Sequence, residues 1–248
     1  MFPIRDHNPS GRTPYVVYAL MALNVVVFLS YMPMLDESYR LRSFFEDWAL
    51  IPYEFTQGSG QLGLVTSMFL HGGLMHLAGN MLFLWIFGDN LEDTLGHVGF
   101  LIFYLLCGLA AGGAQVLADP WSDVPMVGAS GAIAGIMGGY LVLFPRARVD
   151  VIMIFIIFFK ILPLPAWIML GLWFGLQLFM GVLIDTDGGG VAYWAHAGGF
   201  IAGMLLILPT FLKRGGRGYW QETAGSPPHP EAHYEQTGSV IPIVRRRK

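Results

Sequence analysis

Residues 128–144 read GASGAIAGIMGGYLVLF, an uncharged run that holds one serine, Ser130, among five glycines. A run of this length without a charge reads as a short membrane helix. Gly131, Gly135 and Gly139 recur every four residues, which gives that helix one smooth face for close packing. A serine at its first turn, with Gly128 and Gly131 beside it, has an approachable hydroxyl and backbone amides free to face a developing anion.

Outward from this stretch, further apolar segments lie at about 15–32, 69–88, 98–118, 164–184 and 191–212. Each is close to the ~20 residues that cross the hydrocarbon of a bilayer. The composition agrees. Only 12% of the 248 residues are charged and 54% are hydrophobic. Mean hydropathy is +0.55. A soluble domain carries about 25% charged residues, so an ordinary water-soluble globule is excluded, and so is overall disorder. The net charge of −3 argues against a nucleic-acid partner. Cys107, the single cysteine, cannot form an intrachain disulfide and reads as a small buried hydrophobe. The opening MFPIRDHNPSGRTP is too polar for a cleaved signal peptide, so the first span is expected to remain as an anchor.

The basic residues set the direction. Arg5 and Arg12 precede the first span. Arg146, Arg148 and Lys160 follow the fourth, and Lys213, Arg214, Arg217, Arg245, Arg246, Arg247 and Lys248 follow the sixth. Six spans put these twelve on one side and only Arg40 and Arg42 on the other. The positive-inside rule then places both termini in the cytoplasm. The expected organisation is a cytoplasmic segment over 1–13, a six-helix all-α domain over 14–212 and a disordered cytoplasmic tail over 213–248. Residues 33–68 are expected to form an external loop, part of it lying in the interface. Residues 149–163 (VDVIMIFIIFFKILP) are too short to add a span and are expected to lie on the inner interface.

With this direction, the second, fourth and sixth spans enter from the outer face. Their early turns carry His71, His76 and Asn80, then Ser130, then His196. Ser130 would lie ~10 Å below the outer surface at 1.5 Å rise per residue. Polar side chains are costly inside a membrane, and a shared depth points to one site. Ser130 and His196 together are a nucleophile and a base, the minimum for acyl transfer. Separately, a membrane serine usually bonds a backbone carbonyl and a lone histidine ties helices together. Ala195, Gly199 and Gly203 form a second smooth face, which would set His196 against Ser130. His76 and Asn80, four apart, share a face and can both donate to an oxyanion. His71 reads as structural. No acid falls in the outer half of any span, so a dyad is favoured over a triad completed by Asp185 or Asp187. No metal or cofactor is implied, since HExxH is absent and the seven histidines are scattered.

The motifs HGGLMHLAGN (71–80), GASGAIAG (128–135) and AHAGGFIAG (195–203) resemble, in this order, the rhomboid family of intramembrane serine proteases. The resemblance covers about residues 14–212. It implies a six-transmembrane-helix rhomboid-like bundle with both termini inside and endoproteolysis of the transmembrane segments of single-pass proteins. It implies Ser130 as nucleophile, His196 as base, and an oxyanion site from His76, Asn80 and the Ser130 amide. Glu92 matches an acidic position that is structural in the family. Two departures stand out. Ala134 occupies the position where some members have a tyrosine stacked on the catalytic histidine, leaving Tyr193 or Trp194 to support His196. Trp48 is followed by Ala49, where some members carry a tryptophan–arginine pair. The alternative is a catalytically inactive rhomboid-like protein that binds transmembrane helices. A compact chain of this kind is expected in a prokaryotic plasma membrane with its site facing outward; its oligomeric state is left open.

Overall fold

The computed structural model describes residues 2–155, 158–184 and 190–232. The chain runs β1 (Phe2–Asp6), α1 (Tyr15–Tyr31), α2 (Ser38–Trp48), α3 (Pro52–Thr56), α4 (Gly63–Thr66) and α5 (Leu74–Ala118). It continues through α6 (Ser130–Leu143), β2 (Arg148–Phe155), β3 (Phe158–Pro165), α7 (Ala166–Leu183), α8 (Tyr193–Lys213) and α9 (Arg217–Thr223). Four helices are long and apolar enough to cross a membrane: α1 with its 3-10 extension to Asp36, α5, α7 and α8. The protein is a mostly helical integral membrane protein. The apolar α6 has 14 residues and falls below that length. α5 is 45 residues long and turns at Gly96, whose φ of 73° lies in the left-handed region that glycine enters freely.

α6 is the hub. Its residues from Gly131 to Tyr140 are all buried, enclosed chiefly by α5 and α8. A helix sheathed in protein need not match the bilayer in length. Gly199 and Gly203 of α8 press on the backbone carbonyls of Gly131 and Gly135, so a β-carbon at either would collide with main chain. The face expected from the spacing of four is shared between two helices: a β-carbon at Gly131 or Gly135 would meet Ala111 or Cys107 of α5 before it met α8, and the run does not extend to α8 at Gly139. That glycine meets Phe103 and Leu91 of α5, and Gly138 faces α8 instead.

The fold is not purely α. Within 149–163, expected as an inner interfacial segment, residues 149–155 and 158–163 belong to two antiparallel strands, β2 and β3, and β1 adds to β2 in the order β1-β2-β3. The physical reason is a period of two. Val149 and Val151 enter the core, and Asp150 between them meets Arg5 at 2.8 Å and His7 at 2.7 Å. β-branched and aromatic residues favour this geometry.

The tail departs from expected disorder as far as it is described. α9 docks through Trp220, whose indole N–H donates to the Val142 carbonyl at 3.0 Å. The Arg146 N–H donates to Gly225 O at 2.8 Å, and that of Ala232 to His7 O at 2.7 Å. Residues 233–248, with the basic cluster at 245–248, lie outside the described residues, as do Asp185 and Asp187.

In the first loop, α2 lays Leu41, Phe44 and Phe45 against a cluster that includes Phe28 and Tyr31 of α1. Glu92 is buried in α5. Its carboxylate accepts the Val16 N–H at 2.9 Å and the Val17 N–H at 2.8 Å. These are donors from the first turn of α1, which has no side-chain cap of its own. The expected structural acid therefore anchors α1 to α5.

Candidate active site

Ser130 is the first residue of α6 and His196 stands in the first turn of α8. The glycine contact between these helices brings them together: the Ser130 hydroxyl lies 2.7 Å from His196 Nε2. As the first helical residue, Ser130 presents a backbone N–H that has no partner within the helix. Gly128, just before it, has φ +132°, and a β-carbon there would lie 2.8 Å from His76 Nε2. Glycine is thus required both by backbone conformation and by the approach of the His76 ring.

His76 lies in the first turn of α5 and Asn80 one turn on. His76 Nδ1 accepts the Gly72 N–H at 3.3 Å, which in the neutral ring leaves the proton on Nε2, facing Gly128. Asn80 is buried, and its side-chain N–H₂ group has no acceptor among the described residues. His71 is fully buried, its ring 5.1 Å from that of His76 and its backbone held by the Tyr31 hydroxyl at both N–H and C=O. Ser130, His196, His76 and Asn80 all line one cavity of about 450 Å³, which extends beneath the loop residues Val124 to Gly128 and Gly190 to Ala192. The residues predicted from four separate turns thus share one site. Among the described residues, no group of three His, Cys, Asp or Glu side chains is placed to hold a metal ion.

The Rhomboid domain family model matches residues 59–213, from the first loop to the end of α8. The chain belongs to the rhomboid family. It is 29% identical to rhomboid protein 1, mitochondrial, of Saccharomyces cerevisiae over 77% of this chain and 51% of that protein. It is 32% identical to rhomboid-like protease 3 of Toxoplasma gondii over 58% of this chain and 49% of the relative. With the rhomboid protease GluP of Bacillus subtilis it shares 41% identity, over 32% of this chain and 15% of that protease. The chain thus spans about half or less of the length of these curated relatives. They include mitochondrial and bacterial proteins, so they do not single out a prokaryotic plasma membrane.

In this rhomboid, α7 supplies the side chains that surround His196. The ring that packs beside His196 is Trp173 of α7, at a centroid distance of 5.8 Å and tilted by 33°. Tyr193 and Trp194, expected in that role, lie against Gly181 of α7. The second ring nitrogen of His196 meets Gln177, also on α7, with Nδ1 2.9 Å from Oε1. Neither Trp173 nor Gln177 was identified from sequence. The available signal was Gln177 itself, the one amide in the otherwise apolar run 166–183.

Proposed function

We propose that this rhomboid is an intramembrane serine endopeptidase that cleaves transmembrane segments of single-pass proteins. The observation that carries the reading is the 2.7 Å contact between the Ser130 hydroxyl and His196 Nε2, beside the unpaired amide of Asn80 in one cavity. In this mechanism His196 Nε2 takes the Ser130 proton as Oγ attacks the scissile carbonyl carbon. The tetrahedral oxyanion accepts hydrogen bonds from Asn80, His76 Nε2 and the Ser130 amide. The C–N bond breaks as His196 returns the proton to the leaving amine. A water, deprotonated by His196, then hydrolyses the acyl-enzyme and frees Ser130.

The proposal includes six crossings: α1, the two arms of α5 on either side of Gly96, α6, α7 and α8. The twelve-to-two distribution of basic residues supports cytoplasmic termini and a site opening on the outer side. The test is cleavage of a model single-pass substrate by the reconstituted chain, with labelling by a fluorophosphonate. Ser130→Ala and His196→Ala each abolish both. Cleavage that survives either substitution overturns the assignment. A wild-type chain that binds a transmembrane helix but neither cleaves nor takes the label is the inactive binding protein instead.

A further inference from the structure

We infer that Gln177 is a positioning residue that holds the His196 imidazole in the one tautomer able to take the Ser130 proton. The inference rests on the Ser130–His196 reading. A neutral imidazole carries a single N–H. For Nε2 to accept from the Ser130 hydroxyl, that proton must sit on Nδ1, and Nδ1–H then needs an acceptor. Gln177 Oε1, 2.9 Å away, is an amide carbonyl and can only accept. The two ring contacts, 2.7 Å and 2.9 Å, fix both the tautomer and the direction of the ring.

The placement of Gln177 has no other evident use. α7 reads AWIMLGLWFGLQLFMGVL, and its side chains at Leu172, Leu176, Leu178, Phe179 and Val182 are exposed, as lipid-facing residues are. Gln177 is buried among them. A buried amide in such a helix is unfavourable unless it is hydrogen-bonded. Its partner is the histidine. Trp173 lies one turn earlier on the same face, and its ring borders the imidazole at a centroid distance of 5.8 Å. No carboxylate among the described residues comes within ion-pair reach of His196. A neutral acceptor provides orientation at this depth without burying a third group's charge.

The experiment uses the full chain in proteoliposomes, a model single-pass substrate and the variants Gln177→Met, Gln177→Leu and Gln177→Glu. Methionine and leucine fill the space without an acceptor, and glutamate keeps one. Both apolar variants should lower kcat by about 10- to 100-fold with KM within about twofold, and slow fluorophosphonate labelling in parallel. Gln177→Glu should restore kcat to within about fivefold of wild type. Wild-type kcat in whichever apolar variant folds, or a glutamate variant as slow as those, overturns the role. Failure of the underlying dyad reads differently: cleavage would then survive Ser130→Ala or His196→Ala, whatever happens at position 177.

Discussion

Asn80 lines the cavity, and its buried N–H₂ group has no acceptor among the described residues. A buried amide left without an acceptor has a free-energy cost, and in the proposed mechanism that cost would be recovered when an oxyanion forms beside it. The structural and catalytic consequences of removing it therefore separate. Asn80→Ala should lower kcat by ~10²–10³. Its apparent melting temperature should not fall below the wild-type value, because no hydrogen bond from that group is lost and the cost of burying it unpaired is removed. A large fall in melting temperature with little change in kcat would make Asn80 a structural residue. Gly128 shows the same economy at the backbone. Only a residue without a side chain accommodates both its φ and the His76 ring.

At the scale of elements, the distance between nucleophile and base is a helix-packing distance. Ser130 and His196 meet because α6 and α8 touch main chain to main chain at Gly131, Gly135, Gly199 and Gly203. Ordinary overpacking costs about 1–3 kcal/mol, where neighbouring side chains can adjust. A carbonyl cannot move without moving its helix. Gly203→Val should therefore lie at or above the top of that range, a fall of about 6–12 °C in a protein of this size. It should also depress cleavage by widening the Ser130–His196 gap. A thermal melt and a cleavage assay on the same preparation check both, and unchanged values in the two would show that the faces are not in contact. α7 contributes differently. It packs less closely, yet it brings Trp173 and Gln177 to His196.

For the molecule as a whole, the end of α6 remote from Ser130 is tied to its surroundings by polar contacts. β1 and the tail reach α5 just before its Gly96 turn, through Asp6 on Asn90 and His229 on Asp93, and Asp150 of β2 binds Arg5 of β1. Asp6 is the sensitive member. Burial, followed by the nearby Asp89, raises its carboxyl from 3.8 to about 7, against hydrogen bonds from Tyr140 and Asn90. Between pH 4 and pH 7 the folded chain keeps a proton on Asp6 that the unfolded chain has released. Stability must then fall as pH rises through that window and level off above it. The apparent melting temperature of wild type should decline from pH 4 to pH 7. In Asp6→Asn, which mimics the protonated acid, the decline should be flatter. An equally steep decline in both would place the titration elsewhere.

Much of this protein is legible along the chain. Apolar runs and glycines spaced by four are local quantities, and they were enough to indicate lipid as solvent and the helix pair that meets, while the asymmetry of arginine and lysine underlies the proposed direction of insertion. Ser130, His196, His76 and Asn80 were legible because short motifs surround them. Tertiary structure alone decided the rest. The hairpin at 148–165 was hidden because apolar residues also occupy the alternating positions, which masks a period of two until β1 pairs with it. Glu92 found its partner 75 residues away at α1, and the tail met Val142 through Trp220 and Arg146 through Gly225. Gln177 and Trp173 came to His196 from a helix whose own sequence carries no motif. A hydrogen bond between distant helices is set by how they pack, and packing depends on surfaces that no single segment contains.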